Sequence, residues 1–415
     1  EHESPDRLDV LPSGRRGGVQ RPLKFATHLP ALGIETHVLA PDDPKWVHRD
    51  DDLVAPTQAW VHRVRYVGPK GRLPAEELHG LRGLERAGRK AALTFRRALV
   101  PDENVTWNLT AIPAAIRIVR REKIDVVITT SPPTSVHLVG AAVRRATGAR
   151  WIADLRDSIV ANPHRRTESV LVRAKERTGE SVARLVARRA DAVVAVSEPI
   201  SDEMRSLGAA RVVTISNGCD FEDFAGLEYH PSTLLRISHT GSFFGRRTPR
   251  PILEALAGSD VDAVLRFVGD FRAADREWAE GLGLGDRLEI HPYLPRREVL
   301  ALQKDSEALL LLIPESGGRG RGVLSAKVFE YLAAERPILA AVPPDGAAAD
   351  LIRETGAGTV VAPDDVEGLR AALAQLEADH RAGRLNGTPL PSEVRDRLSR
   401  RTRAEELAAL ARSLA

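Results

Sequence analysis

The residues with the most chemistry in their spacing lie between Gly317 and Leu339, GGRGRGVLSAKVFEYLAAERPIL. A glycine- and arginine-rich loop runs into a helical pattern that starts near Ser325 and stops at Pro337. The first amides of a helix have no partners inside it, and the helix dipole adds partial positive charge there. Glycines let an anion approach that backbone closely, so Gly322, Val323, Leu324 and Ser325 form a candidate phosphate cradle. Lys327, Glu330 and Tyr331 follow at i, i+3 and i+4 and so share a helical face, with Val328, Phe329 and Leu332 on an apolar one. A carboxylate one turn in would repel phosphate but suits a ribose, whose hydroxyls need an acceptor. Phosphate on the amides and ribose on Glu330 together describe a nucleoside diphosphate. The plainer alternative is a solvated arginine loop with a solvated Glu330.

Other candidates cluster in the same way. Thr240-Gly241-Ser242-Phe243-Phe244-Gly245-Arg246-Arg247 follows an apolar run. Arg246 or Arg247 could clamp phosphate oxygens with a two-pronged guanidinium, or be a surface arginine. Asp154, Arg156 and Asp157 put two carboxylates and a guanidinium at one strand end. They could hold an acceptor, a sugar or a catalytic proton, or form a structural ion pair. Gly17-Gly18, Ser131-Pro132-Pro133, Gly269-Asp270 and Pro292-Tyr293-Leu294 complete the set. The histidines have no metal-ligand spacing, so no metal site is expected.

Short β-branched or apolar runs alternate with helical patterns along the chain, which predicts parallel α/β sheets. Expected strands include 9–11, 36–40, 124–130, 150–153, 192–196 and 211–215. After a break they resume at 235–239, 263–268, 287–290, 308–313, 338–342 and 358–361. Expected helices include 21–32, a basic stretch around 81–99, 111–122, 136–147, 170–189, 251–257, 347–355, 366–378 and 393–414. Residues 45–105 otherwise read as irregular. In open α/β sheets ligands bind beyond the carboxyl ends of the strands, and the polar, glycine-rich segments fall largely there. The division expected is an N-terminal domain 1–218, a linker 219–233 and a C-terminal domain 234–395, with 396–415 packing back on the first.

A chain of 415 residues is long enough for two domains. Its cores must be built from Ala, Val and Leu, since aromatics are 4% of residues. The net charge of +3 arises from 60 basic and 57 acidic residues, interleaved, so no polyanion-binding field follows. A lone cysteine, Cys219, excludes an internal disulfide and a cysteine-based zinc site, and fits a reducing cytoplasm. No run of apolar residues is long enough to span a membrane. Residues 1–9 are too polar for a signal peptide, and the absence of an initial Met points to a trimmed N-terminus.

The chain resembles the retaining glycosyltransferases of family 4, which have two Rossmann-like domains facing across a cleft (the GT-B fold). Within them it is similar to N-acetylfucosamine and capsule-type sugar transferases. The resemblance is carried by GGVQRPLKFATHLPALGIETHVLA (17–40), ITTSPPTSVHLVG (128–140), RWIADLRDS (150–158) and DAVVAVSEPISDEM (191–204). It continues through VTISNGCDFEDF (213–224), HTGSFFGRRTPRPILEAL (239–256), LRFVGD (265–270), IHPYL (290–294) and GVLSAKVFEYLAAERPILA (322–340). It implies that Glu330 holds the ribose and that the amides of Gly322 to Ser325 meet the diphosphate. Arg246 or Arg247 and Lys327 would assist, beside Gly241 and Ser242. The backbone at Tyr293 and Leu294 would face the base, and Gly17 and Gly18 would border the sugar and acceptor. The family's first glutamate, eight positions before Glu330, is Gly322 here, and Ser158 stands where proline is common. The last helix is expected to cross back to the first domain.

The resulting expectation is a cytoplasmic transferase, at the inner membrane face if peripheral, moving a sugar from a UDP-sugar-like donor. The acceptor would be a glycan, a polyprenyl-linked lipid or a small molecule. The expectation includes retention, no cofactor, no metal and no nucleic-acid partner, with Arg246 assisting catalysis. If the reaction inverts, Asp154 or Asp157 is the expected general base. The alternatives are a double-Rossmann nucleotide-sugar epimerase and a non-catalytic or nucleic-acid-binding protein that uses its arginine helices; the arginine-rich helix near 165–189 reads as a solvated face or, alternatively, as a membrane-surface element.

Overall fold

In a computed structural model, residues 20–42, 58–69, 82–161, 170–243, 246–387 and 389–415 are described. The expected strand 9–11 and the candidates Gly17 and Gly18 lie outside them. The chain divides into two compact units. The first comprises the residues up to Ala161, those leading to Ser216, and Arg400–Ala415; the second holds Asn217–Ser399.

The first unit starts with α1 (Gln20–Ala31), which buries Leu23, Phe25, Ala26 and Leu29 at helical spacing. Strand β1 (His37–Pro41) pairs in parallel with β2 (Trp60–Val64). The sequence pattern gives no strand at β2, because His62 and Arg63 break its apolar run and the strand is covered only in part. Helices α2 (Gly83–Ala98) and α3 (Asn108–Glu122) follow. A four-stranded parallel sheet then forms in the order β3 (Val126–Ser131), β4 (Arg150–Leu155), β5 (Ala192–Ala195), β6 (Val212–Thr214). Its crossover helices are α4 (Val136–Thr147), α5 (Val170–Arg189) and α6 (Glu198–Ser206).

Strands of a parallel sheet are covered on both faces, so they read as unbroken apolar runs, and alternate residues serve opposite faces. Trp151, Ala153 and Leu155 of β4 pack with Val182, Ala183 and Val186 of α5. Ile152 and Val194 face the other way, onto Phe25 and Leu29 of α1. That second core also takes Ala404, Leu407, Ala408, Leu410 and Ala411 from α14 (Arg400–Arg412).

The second unit is a six-stranded parallel sheet in the order β12-β11-β10-β7-β8-β9. The strands are β7 (Leu235–Thr240), β8 (Ala263–Val268), β9 (Leu288–His291), β10 (Ala308–Leu312), β11 (Ile338–Ala341) and β12 (Gly358–Val361). The helices are α7 (Arg250–Ala257), α8 (Ala273–Glu280), α9 (Arg296–Lys304), α10 (Ala326–Ala334), α11 (Ala347–Thr355), α12 (Val366–Arg381) and α13 (Ser392–Leu398). The first strand, β7, lies between β8 and β10, so the strand order reverses there. The loops after β7 and β10 therefore diverge, and this is where an open α/β sheet leaves a crevice.

Two local expectations differ from the structure. Residues 219–233 do not form a loose tether. Cys219 and Phe224 are buried in the second unit's core, and a short 3-10 turn spans Phe221–Phe224. The helical stretch 393–414 is broken at Ser399, with Leu398 in the core of the second unit and Ala404 in that of the first.

Candidate functional site

The loop after β7 begins at Gly241, whose φ of +141° suits glycine. A Cβ at this position would stand 2.2 Å from Lys327 Cε and 2.5 Å from Nζ. Lys327, in the first turn of α10, thus lies directly across the glycine. Two hydrogen bonds fix this loop: Gly241 N–H donates to Val268 O at 2.7 Å, and Thr240 N–H to the Tyr331 side-chain Oη at 2.9 Å. Tyr331 is therefore a core residue and not part of an open face with Lys327 and Glu330. Burial pushes its phenol up to about 12. Ser242 Oγ accepts from Asp270 N–H at 3.1 Å, joining the loops after β7 and β8.

Of the two loop arginines, Arg246 is exposed and Arg247 is buried. Beneath them His239 is fully buried, its Nδ1 2.8 Å from Leu310 O. Burial, then the charges of Lys327 and Arg247, push His239 well below the ordinary histidine range. It is held neutral with both cations close to it, so positive charge gathers at the β7–β10 crevice.

The other wall is the head of α10. Gly317 and Gly318 turn the loop at φ of +64° and +80°. Leu324 O accepts from Asn217 Nδ2 at 3.0 Å, which holds the segment before the helix. Ser325 is the N-cap, with extended dihedrals, yet its side chain makes no capping hydrogen bond. Its Oγ is buried and has no hydrogen-bond partner among the described residues. A buried hydroxyl left unsatisfied costs free energy, and at a helix N-terminus it is placed for an incoming anion. One turn on, Glu330 Oε1 accepts from Arg296 Nη1 at 2.8 Å, and Arg296 Nη2 donates to Asp223 Oδ2 at 2.8 Å. Gly322 and Val323 lie between loop and helix, partly covered, and Tyr293 and Leu294 follow β9, with Tyr293 41% exposed.

The remaining candidates belong to the first unit. Asp154, 1% exposed, receives Arg21 Nη2 at 2.8 Å and Nε at 3.1 Å, and the Thr130 hydroxyl at 2.7 Å. The structure thus holds the ion-pair alternative for Asp154, with its lone pairs engaged by a guanidinium. Arg156 spans the next loop, donating to Ser131 O at 3.0 Å and to Pro132 O. Asp157 is exposed. Sequence reasoning missed Arg21, Arg296, Asp223 and His239. Each works through partners 34 to 195 residues distant in sequence or through burial, and neither registers in local spacing. Among the described residues, no group of three metal-ligating side chains occurs.

Two family models match the chain one after the other. The glycosyl transferase 4-like domain covers residues 16–218, and the glycosyl transferases group 1 domain covers residues 233–404. The fold is similar to sucrose-phosphate synthase from Thermosynechococcus elongatus (TM-score 0.65, 17% identity, 94% of this chain and 92% of that one). It is also similar to Anabaena HepE in complex with UDP-glucose (TM-score 0.56, 16% identity, 73% and 82%). A third similar structure is a Listeria monocytogenes protein assigned as a UDP-N-acetylglucosamine 2-epimerase (TM-score 0.54, 14% identity, 97% and 94%). No curated protein sequence matches the chain. The chain belongs to the glycosyltransferases of the GT-B fold.

Proposed function

We propose that the chain transfers a sugar from a nucleoside diphosphate sugar, with UDP as the first-choice nucleotide, to a glycan, a polyprenyl-linked lipid or a small molecule. The observation that carries the donor site is the head of α10. There the partnerless Ser325 hydroxyl, Lys327 laid across Gly241, and Glu330 one turn later match the diphosphate and the ribose in order. HepE, of the same fold, is described with UDP-glucose bound, which supports the choice of nucleotide.

In the proposed reaction the bond from the sugar's anomeric carbon to the diphosphate oxygen breaks, and a bond to an acceptor oxygen forms. The acceptor's proton passes to the leaving phosphate. Helix amides, Lys327 and Arg247 stabilise the developing negative charge, with Arg246 assisting from the exposed end of the loop. This electrostatic route needs no metal or cofactor. Retention follows from the resemblance to family 4, and a beta-linked product from an alpha donor would overturn it. In that case Asp154 or Asp157 is the proposed general base, Asp154 having to act from its pairing with Arg21. Gly17 and Gly18 are assigned to the sugar and acceptor side by the same resemblance, and Tyr293 and Leu294 to the base. The location proposed is cytoplasmic, with a peripheral membrane contact.

Calorimetric titration of wild type and Glu330→Ala with UDP, GDP, TDP and ADP tests the donor site. One diphosphate is expected to bind, and Glu330→Ala to weaken it by roughly 1–3 kcal/mol, the cost of losing a charged hydrogen-bond acceptor. If folded protein binds none of the four, the α10 site is misread. The similarity to the epimerase-assigned structure supports a second reading, rearrangement within one sugar. Acceptor-independent change of donor stereochemistry, followed by NMR, would favour it.

A further inference from the structure

Arg296 is the first residue of α9, directly after Pro295. A cation at that end of a helix opposes the helix dipole, so local helix stability does not account for it. Its surroundings do. The guanidinium is 20% exposed and grips two carboxylates from separate elements, Glu330 of α10 and Asp223 of the 3-10 turn, each at 2.8 Å. Burial pulls Arg296 down, but Glu330 and Asp223 outweigh it and raise it above the ordinary arginine range. It is therefore a permanent charge in a three-element joint.

We propose that Arg296 is a positioning residue that gives the site its preference for an intact ribose. This rests on the reading of Glu330 as the ribose acceptor. Two effects follow from the geometry. A glutamate side chain has several rotamers, and the grip on Oε1 selects one before the nucleotide arrives, so less entropy is lost on binding. Asp223 and Glu330 together carry two negative charges close to where a diphosphate would sit. Arg296 cancels one of them, so that the ribose acceptor does not repel the same ligand's phosphates. Asp223 in turn fixes the second guanidinium nitrogen, which orients the planar fork. The ligand class selected is a nucleoside diphosphate with both ribose hydroxyls.

The test compares UDP, GDP and ADP with their 2′,3′-dideoxy counterparts by calorimetry, on wild type, Glu330→Gln, Arg296→Gln and Arg296→Lys. Wild type is expected to prefer the ribose form roughly 10- to 100-fold, the range for one charged hydrogen bond. Arg296→Gln is expected to collapse that ratio toward the Glu330→Gln value, beyond any loss that both forms share from the carboxylate charge left uncancelled. A purely structural staple would instead weaken both forms in step and leave the ratio intact, which overturns the proposal. If Arg296→Gln does not fold, Arg296→Lys decides. Its single ammonium cannot reproduce the fork, and a full wild-type ratio in that variant is equally fatal. A wild type that binds both forms equally removes the ribose reading of Glu330, and this proposal falls with it. A ratio lost in Glu330→Gln but kept in Arg296→Gln removes the Arg296 proposal alone.

Discussion

Asp154 illustrates how much of a residue's chemistry is decided by what stands beside it. From sequence alone it is a candidate base; in the fold its oxygens serve Arg21 and Thr130, and Arg21 also donates to the carbonyls of Ile215 and Ser216. The buried histidines make a sharper case at this scale. His137 is fully buried, with Nδ1 2.9 Å from Thr129 Oγ1. Burial pulls it down to about 4; nearby Asp154 partly offsets this and Arg156 adds to it. An unfolded histidine takes up its proton near pH 6.5, roughly two and a half units higher. The unfolded state thus binds more protons between these values. Stability is full above pH 6.5 and drains as the pH falls toward 4, by about 3 kcal/mol in total. Denaturant unfolding of wild type and His137→Leu at about pH 7.5 and about pH 4.5 checks this. The variant is expected to lose distinctly less stability on acidification, with a residual slope from His239. Equal losses in both proteins would refute the assignment.

At the scale of elements, legibility tracked apolar periodicity. Helices α4, α5 and α11 and strands β8 and β12 span the residues their patterns indicate, because each buries a regular stripe or run. β2, α8 and α9 carry charge through the middle of short segments, and their formation is a tertiary effect. The candidate loops after β7 and β10 were legible as glycine-rich strand ends. The strand order that makes them neighbours was not, since pairing of β7 with β10 joins residues some 70 apart. Helix α2 shows a different mismatch. Leu84, Ala87, Ala91, Phe95 and Ala98 recur at helical spacing and are all exposed, Leu84 at 92% and Phe95 at 59%. Arg86 and Lys90 are exposed on the same helix, and no helix among the described residues is long and apolar enough to cross a membrane. An outward apolar stripe with cations on its helix suits the surface of an anionic bilayer, which makes α2, more than α5, the place for the proposed membrane contact. Co-sedimentation is expected with phosphatidylglycerol vesicles and not with phosphatidylcholine vesicles, and to be lost in Leu84→Glu/Phe95→Glu. Equal partitioning to both vesicle types, or unchanged binding by the double variant, would end this idea.

At the scale of the whole molecule, the chain passes from the first unit to the second at Ser216–Asn217 and returns at Ser399–Arg400. The two passages run side by side: Cys219 N–H donates to Leu398 O at 3.0 Å, and Cys219 bridges Ser399 in parallel. The first unit therefore depends on a helix that comes after the second. Leu407 and Leu410 of α14 are 0% and 4% exposed in its core. Burying a leucine contributes about 1.5–3 kcal/mol, so losing two removes much of a typical domain's ~5–15 kcal/mol. Deleting residues 400–415 is expected to abolish the first unit's calorimetric transition and leave that of the second in place. Two unchanged transitions would contradict the packing of α14. The same connectivity sets an order of events on the ribosome. The second unit has its entire sheet and both cores once Ser399 has been made. The first, although begun earlier, stays short of one wall until Arg400–Arg412 emerges. The earlier half of the nascent chain is thus the one that waits, with an apolar sheet face open, for Arg400–Arg412 to arrive.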